Sequence, residues 1–522
     1  MNKPGSATRL VNYEVGLSGG YRRINGYEAY DPAFAEVGVG LAEGKVLGLI
    51  QFFNTSTGSW EVIAARKDLG VDEYTLWRYE SGTGWEPILT GLTHYFILGG
   101  ATVDKLRWDV GNDGFTNYLC IVDGVNNAVL YDGTDWVFID SADTGADLDH
   151  AGGAQALDAP TLCSFFGGSL HLSYDLVNNS TGNVAYSAPN AFHDWTFANG
   201  AGQAVVGFPV VTIKPFRDNL YVFGTNNIKR MVADETAGFL VKDVTNNIGC
   251  LSRDGVIEIG GDLLFIAPDG FRPIAGTDKI GDVQLETVSK QIHNLIKNRI
   301  TGNVGFDVNT VAIRGKSQFR MLFGGDNFSA NDSRGIIGAL RTADQQNGWE
   351  FGELLGFRAS CATSAYVQGE EIVIHGDYDG CVYRQETGSS LNGDDMVSAY
   401  STPYLDLGDT EVRKVAHVVN IFVNGEGNLG VNLTLDFDWG LTTVLNPAGY
   451  SIVIEGDTPV YDDPDYVYGD PGTAYGGILT PVAFKNVEGS FFSIRLSFTT
   501  SGTEASHSIF GFNIEYQVEG RN

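Results

Sequence analysis

Hydrophobic residues fall in short runs broken by Gly, Asn and Asp. The clearest unit is Val129–Ile139, VLYDGTDWVFI. An apolar run leads into Asp132-Gly133, and Trp136 opens the next run. This pattern predicts two short antiparallel strands joined by a tight turn. Gly133 supplies the positive φ of such a turn, and Trp136 packs a large flat surface just past it. Variants of the unit recur. Leu76–Ile88 carries Gly84-Trp85, Tyr186–Phe197 carries Asp194-Trp195, and Leu220–Val232 turns on Gly224–Asn227. Leu263–Ile274 turns on Asp269-Gly270 with Phe271 in the aromatic place, and Gly376–Arg384 turns on Asp379-Gly380 with Tyr383. A degenerate repeat of four-stranded size predicts a β-propeller of six or seven blade-like units. A large sandwich built from generic hairpins is the alternative. Burial of Trp85, Trp136 and Trp195 is expected, because their place recurs in each unit.

The run Val46–Phe53 suits a strand buried on both faces. One segment, Asp282–Asn298, has the three-and-four spacing of a helix, with Leu285, Val288, Ile292, Leu295 and Ile296 on one face. It reads as an insertion for a partner contact or a lid over a blade end. Past residue 396 the pattern changes to strict alternation. Val418, Asn420 and Phe422 share one face of a strand, and Val431, Leu433, Leu435 and Phe437 share a face of another. Alternation predicts half-buried antiparallel strands. The fold class is therefore all-β, a propeller at 26–395 with a C-terminal β-sandwich at 396–522. Residues 1–25 precede them as an arm, in which Lys3, Arg9, Arg22 and Arg23 face one acid, Glu14. These four bases are the candidate partner contacts.

Composition sharpens this picture. Glycine is abundant, at 68 of 522 residues against 15 prolines, as an all-β chain with many tight turns requires. The formal net charge of −31 argues against sequence-specific duplex binding, which needs clustered Lys and Arg. The five cysteines are scattered without a CxxC pair, so free buried thiols are expected. No leader-like apolar segment opens the chain, and no apolar stretch reaches membrane-spanning length. Asp140, Asp143, Asp147 and Asp149 lie in one polar loop, but lack the EF-hand spacing. A second long loop, Val460–Tyr475, is rich in Asp and Tyr. Histidines occur singly, and no HExxH, GxSxG or phosphate-loop motif is present. The sequence therefore predicts no enzyme, cofactor or metal.

Three segments together resemble a known family. They are Asn12-Tyr13-Glu14 followed by Gly19-Gly20-Tyr21-Arg22-Arg23-Ile24-Asn25-Gly26-Tyr27-Glu28, then Ser401–Gly408 (STPYLDLG), and the ending Ile514-Glu515-Tyr516 with Glu519-Gly520-Arg521. This set is similar to the nozzle or hub proteins of short-tailed bacteriophage tails. The resemblance implies a structural virion protein, assembled in the host cytoplasm as a homohexamer. It implies docking on the portal–adaptor complex, contact with tail fibres or spikes, and passage of DNA without specific binding. An acidic lumen would let the genome slide. No stable membrane insertion is implied. The alternative is a tail-associated carbohydrate-binding β-propeller that recognises a receptor, with exposed Trp and Tyr stacking on sugar rings. A glycosidase is the third class.

Overall fold

The computed structural model describes residues 7–16, 19–38, 44–68, 73–88, 103–139, 159–173, 182–234, 238–274, 288–289, 292–296, 307–324, 334–343, 346–427, 429–441, 444–454 and 482–521. Two compact units emerge. One consists of Ala29–Phe328 and Arg358–Arg384; the other of Met1–Glu28, Ser329–Phe357 and Gln385–Asn522.

In the first unit the hairpin repeat forms seven blades among the described residues. Blade one is Val46–Asn54, Ser59–Asp68, Glu73–Glu80 and Gly84–Pro87, each strand antiparallel to the next. Blade two is Arg107–Asn112, Asn117–Val122, Val129–Tyr131 and Trp136–Phe138. Blade three is Leu162–Phe166, Ser169–Ser173, Asn183–Tyr186 and Gly202–Val205. Thr212–Phe216, Asn219–Phe223, Ile228–Asp234 and Gly238–Thr245 make blade four. Blade five has Val256–Ile259, Asp262–Ala267 and Gly270–Pro273. Blade six contributes Asp307–Ile313 and Gln318–Gly324 to this unit, and blade seven Cys361–Val367, Glu370–Gly376 and Val382–Gln385.

The ring closes through contacts between successive blades. Leu106 N–H donates to Leu47 O at 2.9 Å, and Phe165 N–H to the Asp109 carboxylate at 2.9 Å. Tyr186 meets Phe239 edge-on at 4.8 Å, and Phe223 meets Phe265 at 5.4 Å. Thr310 Oγ1 donates to Asp254 O at 2.9 Å, and Ser364 Oγ to Ala312 O at 2.6 Å. Ser360 Oγ then returns to Val46 O at 2.6 Å, joining blade seven to blade one. Early and late sequence meet in that last blade: Tyr30 N–H donates to Val382 O, and Val382 N–H to Ala35 O. Such closure leaves few free sheet edges. Apolar clusters fill the gaps, for example Leu47, Ile50, Leu119 and Ile121 between blades one and two.

Local chemistry explains the turns. Gly133 sits at φ 94, and the Asp132 carboxylate accepts the N–H groups of Thr134 and Asp135 at 2.8 and 2.7 Å. Asp377 does the same for Asp379 and Cys381 around Gly380, at φ 90. The Asp194-Trp195 unit differs from the predicted hairpin. Asp194 accepts from Thr196 N–H and Asn199 Nδ2 and opens a short 3-10 turn, Phe197–Asn199. Trp85 and Trp195 are buried, and half-buried Trp136 stacks on Tyr131 at 4.2 Å. Of the predicted helix Asp282–Asn298, residues 293–296 form one helical turn, and most of the rest lies outside the described residues. The acidic loop Asp140–His150 and the loop Val460–Tyr475 also lie outside them.

The second unit packs two sheets on one apolar core. The first runs Arg334–Ala343, Gln346–Leu355, Arg9–Val11, Ser398–Ser401, Ile494–Thr500, Leu429–Phe437 and Tyr450–Ile454. The other runs Tyr13–Val15, Tyr21–Arg23, His507–Arg521, Val412–Gly425 and Val482–Asn486. Val431, Leu433, Leu435 and Phe437 all point inward, as their alternation predicts. In Val412–Gly425 the register shifts between Ala416 and Val418. A bulge of this kind resets which face is buried. Val419, Ile421 and Val423 are therefore inside, while Phe422 is exposed. Residues 1–25 read from sequence as an arm, but Arg9–Val11, Tyr13–Val15 and Tyr21–Arg23 are strands of this unit, as are the paired strands Arg334–Ala343 and Gln346–Leu355.

Candidate functional site

The four predicted contact bases have different fates. Lys3 lies outside the described residues. Arg9 is exposed on its strand, paired in register with Ser401. Arg22 turns to its own chain, donating to Glu426 at 2.8 Å through Nε and Nη2 and meeting Glu14 at 3.3 Å. Arg23 is wholly buried, at 0% exposure. It donates to Ser398 Oγ at 3.0 Å, Met396 O at 2.9 Å, Gly502 O at 3.0 Å and the carbonyl of Glu504. Its role as a partner contact is thus corrected: a guanidinium enclosed by its own chain's carbonyls does not reach another molecule.

These contacts belong to a larger polar weld. Asn12 adopts φ 54, and its side chain donates to Leu355 O at 3.0 Å and Val397 O at 2.8 Å while accepting from Leu355 N–H at 2.8 Å. The Tyr13 hydroxyl and His507 Nε2 lie 2.7 Å apart. Burial pushes the His507 pKa down to about 4, with Arg23 nearby adding to the effect, so the imidazole is neutral; its Nδ1–H faces the Ala505 carbonyl at 3.4 Å, which leaves Nε2 to accept from Tyr13. Asn25 accepts from Arg22 and from Ser506 Oγ, each at 2.9 Å. A Cβ on Gly26 would lie 1.7 Å from Ser390 O, and one on Gly20 would lie 2.3 Å from Ile509 O. Sequence reasoning saw the charges of this segment but not its burial, because its partners lie hundreds of residues away.

In the propeller unit the innermost strands line a central cavity of about 450 Å³. Three of its charges meet across the ring. Arg107 of blade two donates to both carboxylate oxygens of Asp254, at 3.1 and 2.9 Å. Lys105 Nζ lies 3.1 Å from the same carboxylate and donates to Val308 O at 3.0 Å. Burial opposes ionisation of Asp254, but the charges of Arg107 and Lys105 override it and hold its pKa well below the usual range. This cluster ties blade two to blades five and six. Burial raises the pKa of Asp109, which accepts from Ser164 Oγ at 3.1 Å and Phe165 N–H. The thiols of Cys163 and Cys361 also line the cavity. A hydrogen bond with Cys120, together with burial, raises Cys163 far above its ordinary value, and burial raises Cys361 to about 11. Both stay protonated at neutral pH and are poor nucleophiles. All five cysteines are free. The described residues contain no group of three or more His, Cys, Asp or Glu placed to hold a metal ion.

No family model and no curated protein matches the chain. Among solved structures it is similar to the extracellular domain of a hybrid two-component system from B. thetaiotaomicron, with TM-score 0.38 and 10% identity over 83% of this chain and 46% of that one. A one-component system from the same organism gives TM-score 0.37 and 9% identity, covering 85% of this chain and 47% of the other. The chain thus spans about half the length of both. It is also similar to a glycoside hydrolase family 43 arabinoxylan arabinofuranohydrolase from Bacillus subtilis, with TM-score 0.27, 11% identity, and 94% and 97% of the two chains covered.

Proposed function

We propose that the chain is a structural virion protein, a β-propeller subunit of the nozzle of a short-tailed phage. The observation that carries this reading is where its resemblance motifs lie. Asn12, Tyr13, Gly20, Arg22, Arg23, Asn25 and Gly26 each have a fixed structural task, and they join Ser401–Gly408 and the closing strand in a single unit. Thr8 N–H donates to Ser401 O at 2.8 Å, and Tyr21 pairs with Ile509. A signature scattered over the whole chain is therefore one piece of architecture. That supports a scaffold more than a catalyst.

The path of the DNA follows from the propeller channel. The cavity at the propeller centre, about 450 Å³, is too small to pass a DNA duplex, so on this reading the conduit runs between copies of the chain. Such a lumen carries the acids of a −31 chain, so phosphate is repelled weakly along its length. The carbohydrate-binding alternative loses two of its expected platforms, Trp85 and Trp195, to the blade interiors. The test is co-sedimentation with a purified portal–adaptor complex of a short-tailed phage. Stoichiometric co-migration, abolished by Arg9→Glu on the exposed strand, is expected if Arg9 belongs to the docking surface. No association at any protein ratio contradicts the docking role.

A further inference from the structure

The sandwich-like unit holds a groove of about 1390 Å³, walled in part by Pro403–Gly408 and the closing strand. At its mouth Trp439 is 73% exposed, unusual for the largest apolar side chain. Its presentation is built. Asp438 and Trp439 both take left-handed backbone angles, φ 48 and φ 62. Two consecutive non-glycine residues in this region store strain that the surroundings must offset. Buried Asp438 supplies the offset: its N–H donates to Ser493 O at 2.9 Å, and its carboxylate accepts Phe492 N–H at 2.7 Å and Ser493 N–H at 2.9 Å.

The indole stacks on Tyr404, with ring centres 4.6 Å apart and planes 29° apart. Arg495 lies over the Tyr404 ring at 4.9 Å, and Asp436 holds its guanidinium at 3.0 and 2.6 Å. Tyr404 is itself fixed, because Leu405 and Ile494 exchange backbone hydrogen bonds at 2.8 and 2.9 Å. Asp406, Thr410 and Asn513 add polar groups to the groove wall.

We propose that this groove binds a neutral oligosaccharide, with Trp439 as the stacking platform. A pyranose ring offers an apolar C–H face and a rim of hydroxyls. An exposed indole on a rigid aromatic stack matches the face, and Asp406, Thr410 and Asn513 match the rim. Anionic sugars are disfavoured on two counts. The Arg495 charge is already neutralised by Asp436, and Asp406 and the chain's −31 charge repel acids. The site shares the Ser401–Gly408 segment with the phage-tail reading, but its test reads glycan binding and not assembly.

The experiment is an array of neutral and anionic glycans probed with the full chain, followed by calorimetric titration of the best neutral oligosaccharide. Wild-type protein binds neutral glycans, Trp439→Ala binds about tenfold or more weakly, and Trp439→Phe stays within about threefold of wild type. Thermal melts check that the variants remain folded; if Trp439→Ala does not, Trp439→Phe and Tyr404→Ala replace it. Three results overturn the proposal: no neutral glycan bound, unchanged affinity in Trp439→Ala, or a change confined to oligomeric state. The last assigns the indole to a contact between copies.

Discussion

Arg23 shows how a charge that reads as an outward contact becomes an inner clamp. It organises backbone carbonyls from two distant loops, at Met396 and at Gly502 and Glu504. Removing the side chain takes this donor from the carbonyls of Met396 and Glu504, while Gly502 O keeps the Met396 N–H at 3.2 Å. Arg23→Ala should destabilise its unit by about 3 kcal/mol or more, with Arg23→Lys intermediate, as read by chemical denaturation. Reversing Arg22 and Arg23 together therefore reports folding before assembly. Buried histidines set an acid limit. Burial lowers the pKa of His171 to about 4 and of His375 to about 3, and His507 also titrates near 4. Each is held neutral in the fold below its unfolded value near 6.5. Their contribution is complete above pH 6.5 and is lost as pH falls through 6.5 toward 3–4. A fully shifted group amounts to roughly 3 kcal/mol. Melting temperature should thus fall steeply between pH 6 and 4, and His171→Gln should flatten the slope.

At the scale of elements, turns decide the blades. Gly133 has φ 94, and an added Cβ would meet Asn54 Oδ1 at 2.4 Å; Gly58, at φ 68, has nothing within 4 Å. Gly133→Ala should cost about 2–3 kcal/mol and Gly58→Ala only about 1, compared by urea melts of the two variants. These hairpins were legible because their signal is local: an Asx side chain, a glycine and an aromatic within a few residues. Three features were not legible. The bulge after Ala416 inverts the phase of Val412–Gly425, and nothing in its alternation announces that. The strand Arg9–Val11 pairs in parallel with Gln346–Leu355, a register fixed by packing over hundreds of residues. Nothing in the sequence around Trp439 marks its left-handed backbone or its stack on Tyr404.

At the scale of the whole molecule, the chain combines a closed seven-blade ring and a sandwich-like unit, which on the proposed reading serve as a building block. The Asp254 cluster is the ring's polar tie. Asp254→Ala leaves Arg107 and Lys105 without their counter-charge and should cost about 3–5 kcal/mol, seen as an earlier propeller transition in calorimetry. The −31 charge bears on assembly, since copies of so acidic a chain repel one another unless bases such as exposed Arg9 sit at their contacts. The most direct measurement is the native mass of the purified protein by light scattering, with negative-stain images of the same sample. With or without the portal–adaptor complex as template, the account predicts six-membered rings around a central hole. Monomers that stay monomeric on that template would contradict it.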